Sequence, residues 1–206
     1  MIPSFGDARG GLGASALPKP ALVASLPEPA SGLRPTGDDP ARGAIISGCG
    51  TYRYRLERDG PGTGQTTIIM VNPSTADVQN DDPTIRKLLG FGRRYEWGRI
   101  VVGNLFAYRA TDVRELAGLD TPTAVGPEND AHLMDMLREA DRFIVAWGPA
   151  SKLPKRLRTR FRRVLEIAQL VSRRPLSIGA PAKDGHPCHP LMLPYERQLQ
   201  PWSPAL

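Results

Sequence analysis

Cysteine is scarce: Cys49 and Cys188 are the only two in 206 residues. That excludes a disulfide framework and any iron–sulfur site built from the cysteines of one chain, and both thiols are expected to be free. Long apolar runs are missing as well. None approaches the roughly 18 residues that a membrane-spanning helix requires. The start, Met1-Ile-Pro-Ser-Phe-Gly6, has neither the basic head nor the continuous apolar stretch of a secretory signal. A soluble, cytoplasmic protein without a membrane partner is therefore expected. Acidic residues are nearly absent from one segment in particular. Between Lys152 and Arg174, nine basic residues are opposed by Glu166 alone, although the whole chain carries 27 basic and 21 acidic residues. The formal charge of +6 is thus concentrated there. Such an excess is the footprint of a polyanion contact, with Lys155, Arg156, Arg160 and Arg163 as candidates for touching a nucleic-acid backbone. A solvated helix face is the plainer explanation of the same charges.

What is present divides the chain in two. Residues 1–42 are rich in Pro, Gly, Ala and Ser and show neither helical nor alternating periodicity. They bury too little to offset their ordering entropy and are expected to be disordered. Residues 43–206 are expected to form a single α/β domain. Its centre is Ile68-Ile-Met-Val71, an apolar run that reads as a buried strand. Before it, Tyr52-Arg-Tyr-Arg-Leu56 alternates as an edge strand or hairpin arm would, and Asp59-Gly-Pro-Gly-Thr-Gly64 supplies a turn. After it, Ile85, Leu88, Leu89 and Phe91 have helical spacing, and Arg99-Ile-Val-Val-Gly-Asn-Leu-Phe106 reads as another buried strand. Gly126-Pro-Glu-Asn129 launches a helix with Pro127 in its first turn, and Phe143-Ile-Val-Ala-Trp-Gly148 is a third apolar strand. Leu153, Leu157, Phe161, Val164, Leu165 and Ala168 then lie on one stripe of an amphipathic helix, and a last short strand spans 176–178. Strands alternating with helices imply βαβ units. The expected fold is a three-layer α/β/α sandwich around a mainly parallel sheet of about four strands.

The central strand ends abruptly in Asn72-Pro-Ser-Thr75, and Asp81, Asp82 and Pro83 suit the cap and first turn of a helix. Open α/β folds bind their ligands at such strand ends, which places Asn72 in the candidate site. Ser74 and Thr75 have no assignable histidine partner to activate them as nucleophiles and read as hydroxyl donors to a ligand. Asp77, Asp81 and Asp82 could act as a general base or hold a divalent metal; interaction with the helix dipole accounts for them without either. His186, Cys188 and His189 lie too close in sequence to share one zinc tetrahedron, so neither a metal nor a cofactor is expected.

From about residue 52 to 202 the chain resembles a prokaryotic family catalogued only as a domain of unknown function. The matching elements are Asn72-Pro-Ser-Thr-Ala-Asp77, Asp82-Pro-Thr-Ile-Arg86, Asn104-Leu-Phe-Ala-Tyr-Arg-Ala-Thr111, Gly126-Pro-Glu-Asn129, Ala146-Trp-Gly148 and His189-Pro-Leu191. A more distant resemblance carries chemistry, because the order of elements is similar to that of the uracil-DNA glycosylase superfamily. There one strand ends in Asp-Pro or Asn-Pro, the next in Asn before a basic loop, a later one in Leu-Gly or Trp-Gly, and a C-terminal His-Pro-Ser loop completes the site. The positions here are Asn72-Pro73, Asn104 with Arg109, Trp147-Gly148 and His189-Pro190, in the same order.

This second resemblance implies roles for individual residues. Asn72 would hold the water that attacks the sugar carbon, Asn104 would read the edge of an extruded base, and His189 would donate to a base oxygen as the leaving group becomes anionic. Pro73, Ser74, Thr75, Tyr108, Arg109 and Pro190 would complete the substrate site. Two departures stand out: His189-Pro-Leu191 lacks the serine that contacts phosphate, and no aromatic closely follows Asn72-Pro73, so stacking would fall to Phe106 or Tyr108. The implied activity is hydrolysis of N-glycosidic bonds, with nucleic acid (DNA ahead of RNA) or a nucleotide as partner. Two alternatives stay open: a non-catalytic nucleic-acid-binding module, and a metal-assisted hydrolase of free nucleotides using Asp77 and Asp82. The residues alone also allow structural readings, with Asn72 capping a turn and Asn104 bonding neighbouring backbone.

Overall fold

The computed structural model describes Asp39, residues 41–74 and residues 76–204. Most of the segment expected to be disordered, together with Thr75, lies outside the described residues. Among the described residues there are seven strands: β1 (Arg42–Ile46), β2 (Arg53–Asp59), β3 (Thr63–Met70), β4 (Trp97–Asn104), β5 (Arg142–Val145), β6 (Pro175–Ile178) and β7 (Leu199–Pro201). They form one sheet in the order β1-β2-β4-β3-β5-β6-β7. The middle four, β4-β3-β5-β6, are parallel, and they are the four strands expected from the apolar runs. The sheet as a whole corrects the expectation of about four mainly parallel strands. It is mixed, because β1 and β2 on one side and β7 on the other pair antiparallel. Nor is β2 an edge strand or an arm of a hairpin with β3: it lies between β1 and β4.

Side chains alternate across each strand, and here both faces are covered. Ile68, Met70, Ile100, Val102 and Ile144 share a core with Ile85, Leu88 and Phe91 of helix α1 (Pro83–Arg94). Ile69, Val101, Phe143 and Val145 share a second core with Leu133, Met136 and Leu137 of α3 (Asn129–Glu139) and with Val164, Ile167 and Ala168 of α4 (Arg160–Leu170). Each large side chain buried in this way contributes about 2 kcal/mol. Gly103 on β4 lets α3 approach, since a Cβ there would stand 2.6 Å from Met136 Cε and 3.0 Å from Leu133 Cδ2.

α1 begins as its sequence dictates. Asp82 accepts the Ile85 N–H at 2.8 Å as N-cap, Pro83 follows, and Arg93 and Arg94 lie in the last turn. Elsewhere the boundaries differ. α2 (Thr121–Val125), capped by Asp120, precedes α3, which starts after Pro127 rather than around it. The single helix expected from Leu153 is divided: two 3₁₀ turns, Ala150–Lys152 and Lys155–Leu157, come before α4. Pro154 lacks the N–H a helix needs and disfavours helical geometry at Leu153. No helix among the described residues is long and apolar enough to cross a membrane.

Candidate functional site

Chain order reverses at β3: β4 lies on one side of it and β5 on the other. A crevice opens beyond the carboxyl ends of strands at such a point, and a cavity of about 520 Å³ is found there. Its wall is built from the end of β3 (Met70, Val71, Asn72), the end of β4 (Asn104), the loop after β5 (Trp147, Gly148) and the start of α1 (Asp82, Thr84, Ile85), and His189 comes in from the C-terminal loop. Asn72, Asn104 and His189, distant in sequence, therefore line one cavity.

Each of the three is presented in a defined way. Asn72 donates through Nδ2 to the carbonyl of Ala110 at 2.7 Å and to that of Pro73 at 3.0 Å. Its amide nitrogen thus ties the loop after β3 to the loop after β4, and Oδ1 accepts nothing from any described residue. Asn104 is 2% exposed, and its buried Nδ2 has no partner among the described residues. The strand end carrying it is clamped: Asn129 Nδ2 donates to the Asn104 and Leu105 carbonyls at 3.1 and 3.2 Å, and Arg160 Nε donates to the Leu105 carbonyl at 2.9 Å. His189 accepts the Leu191 N–H on Nδ1 at 3.3 Å, so its neutral ring carries the proton on Nε2. Burial, reinforced by Lys152 and opposed by Asp82, holds the His189 pKa below the usual histidine value and keeps that ring neutral. Gly148, at φ 78°, lets its loop pass close by, since a Cβ there would lie 3.2 Å from His189 Cβ.

The other expected residues are distributed more widely. Ser74 lines the cavity and also a second depression of about 330 Å³, where Tyr108 and Arg109 are found. Arg109 donates there to the Gly50 carbonyl at 3.1 Å, and Tyr108 meets the edge of the Tyr52 ring. Pro73 and Pro190 are buried, Pro73 offering its carbonyl to the Ala110 N–H and Pro190 opening the turn Pro190–Met192. Asp82 lines the cavity and caps α1. Asp77 instead closes a local turn, accepting the Gln79 and Asn80 N–H groups at 2.9 and 2.8 Å, and these bonds lower its pKa. Among the described residues no group of three or more His, Cys, Asp and Glu could hold a metal ion.

The candidates for a nucleic-acid face are for the most part bonded within the protein. Arg160, 9% exposed, is bonded to the Leu105 carbonyl and to Asp130. Arg163 is paired with Asp130 at 3.0 Å and Glu166 at 3.1 Å, and Arg156 donates to the Leu116 and Ala117 carbonyls at 3.0 Å. Three of the four candidates for phosphate contact are thus bonded within the protein, and of the four only Lys155 is exposed with no partner among the described residues. Two other cations do line the cavity, Arg53 and Lys152. Lys152 belongs to the basic segment; Arg53 had no signal, because strict alternation in β2 would have placed it beside Arg55.

Comparison with curated proteins and comparison with solved structures both find no match. A family model does match, over a span that includes every residue named here as lining the cavity. The chain belongs to the family described as "Protein of unknown function (DUF1643)", matched over residues 53–191.

Proposed function

We propose that the cavity handles a nucleobase and that the protein is a glycosylase-like hydrolase of N-glycosidic bonds, a cytoplasmic enzyme on a three-layer scaffold of the uracil-DNA glycosylase type. The observation that carries this reading is the convergence of Asn72, Asn104 and His189 on one cavity. With its amide nitrogen anchored to two carbonyls, Asn72 can aim Oδ1 at a water. An amide is too weak a base to take the proton, but in-line placement suffices when the sugar cation forms before attack. The unpaired Nδ2 of Asn104 suits an acceptor on the base edge. His189, neutral and protonated on Nε2, can donate to a base oxygen as negative charge develops there. Asp82, on the same wall, is the nearest choice among the expected acids for accepting a proton from the water.

The internal use of Arg156, Arg160 and Arg163 favours a second reading of the substrate, a free nucleotide in place of a nucleic-acid chain. Purified protein incubated with uracil- and hydroxymethyluracil-containing oligonucleotides, and separately with mononucleotides, tests both. Release of free base, reduced about 100-fold or more in Asn72→Ala, is the expected result. Binding without release, unchanged in Asn72→Ala, would instead identify a non-catalytic module. Turnover abolished by a chelator would point to the metal-assisted hydrolase.

A further inference from the structure

An irregularity at the start of β2 delivers a cation into the cavity. The pairing of β1 with β2 runs Ile45↔Arg55 and then Ile46↔Arg53, so Tyr54 has no partner. Such a bulge places two residues where the pleat has room for one, and successive side chains then share a face. Tyr54 and Arg55 do so: the Tyr54 ring stacks on His132 of α3 at 4.6 Å, and Arg55 bonds Glu139 of the same helix at 2.9 Å. Leu56 and Arg58 point the other way, Leu56 into the core with α1 and Arg58 to Asp81 at 2.7 Å. Without the bulge, alternation would send Arg53 to the α3 face with Arg55. With it, Arg53 turns to the cavity side, 3% exposed and lining the cavity.

The guanidinium is only partly satisfied there. It donates through one terminal nitrogen to the Ala76 carbonyl, while its buried Nε has no partner among the described residues. Desolvation lowers its pKa to about 10; Asp82 and Asp77 favour the charge, Arg109 and Arg58 oppose it. Asp82 acts on it through charge alone: its Oδ1 caps α1 by accepting the Ile85 N–H, and no hydrogen bond joins the two side chains. Asn104, whose buried Nδ2 has no partner among the described residues, and His189, with its Nε2–H, line the same cavity. Although Asp82 and Asp112 also line the cavity, its two cations, Arg53 and Lys152, and the Nε2–H of His189 provide partners for a ligand rich in anionic oxygen. A planar guanidinium suits the oxygens of a phosphoryl group best.

We propose that Arg53 is the anion anchor of this cavity and holds a phosphoryl group of the ligand, which makes the substrate class a phosphorylated nucleoside. The nucleoside half of this assignment rests on the base-handling reading; the phosphoryl half stands without it. The phosphoryl group belongs either to a free nucleotide or to a nucleotide unit of a chain.

Calorimetric titration of the full chain with inorganic phosphate, uridine, uridine 5′-monophosphate and a short oligonucleotide tests the assignment. Phosphate is expected to bind, and the monophosphate to bind about tenfold or more tightly than uridine, as one or two charge-assisted bonds require. Arg53→Gln should remove phosphate binding and bring the monophosphate to the level of uridine, with the circular dichroism of the wild type retained. Should Arg53→Gln fail to fold, Arg53→Lys keeps the charge and loses the planar fork, and the ratio of monophosphate to uridine affinity should fall in that variant. Phosphate binding undiminished in Arg53→Gln, or an unchanged ratio in Arg53→Lys, would overturn the proposal. Arg53-dependent phosphate binding with no response to uridine would uphold the anchor while removing the base reading. Displacement of phosphate by the oligonucleotide but not the monophosphate would place the phosphoryl group in a chain, and the reverse in a free nucleotide.

Discussion

The cavity wall and the basic segment after it both present polar and charged groups, and they use them in opposite ways. In the segment, Arg156, Arg160 and Arg163 are bonded to carbonyls and carboxylates of the protein itself, and Arg158 donates to the Leu153 carbonyl at 2.9 Å. In the wall, Arg53 and Asn104 are more deeply buried than most of those arginines, yet each keeps a nitrogen without a partner among the described residues. A buried donor left unpaired costs about 1–3 kcal/mol, so a fold retains it only where something else is gained. High charge density located the segment, but the hydrogen bonds a group already makes, not density, show how far it is committed to the fold.

The largest effect that distinguishes the two regions is expected at Arg160. Arg160→Ala would leave Asp130 with Arg163 alone and remove a donor from the Leu105 carbonyl. Loss of a largely buried ion pair of this kind costs about 3 kcal/mol, read as a lower urea midpoint with the slope unchanged. A loss below about 1 kcal/mol would show that the pair is only a surface contact and that the segment's cations are available to partners. Asn104→Ala is the converse. Since Nδ2 makes no bond to any described residue, stability should change by about 1 kcal/mol or less, while base release falls about 100-fold. A variant that lost stability and activity in parallel would mark Asn104 as structural and break the contrast.

The two regions were also unequally legible. β3 to β6 are announced by apolar runs, because parallel strands covered on both faces need apolar residues at successive positions. Asn72, the polar residue ending the central run, could be placed at the crevice for the same reason, whereas Asn104 was placed there by the resemblance alone. β1 and β7 were missed: five and three residues long, they carry too few side chains for a pattern. Pro154 breaks the basic helix, a break that the apolar stripe running across it hides. The internal role of Arg160 and the aim of Arg53 are not legible in the sequence. The carbonyl that holds Arg160 is 55 residues away in sequence, and the aim of Arg53 depends on a bulge at Tyr54, where alternation predicts the opposite face.

Lys155 offers the finest test, because it is the residue at which the contrast could fail with the fold intact. It lies in the turn Lys155–Leu157, exposed, next to an arginine spent on the Leu116 and Ala117 carbonyls. If the segment serves the fold, Lys155→Glu reverses a charge that no described residue uses, and stability should stay within about 0.5 kcal/mol of wild type. Binding of an oligonucleotide should keep its dependence on salt, with the slope of log K against log salt shifting by less than about 0.9, the value of one phosphate contact on a duplex. A shift of that size or larger, with the fold unchanged, would mean that the segment touches a nucleic-acid backbone through its one uncommitted candidate. The arginines around it would then be positioning a phosphate contact by holding the turn, and the internal bonds of Arg156 and Arg160 would be part of an interface rather than an alternative to one.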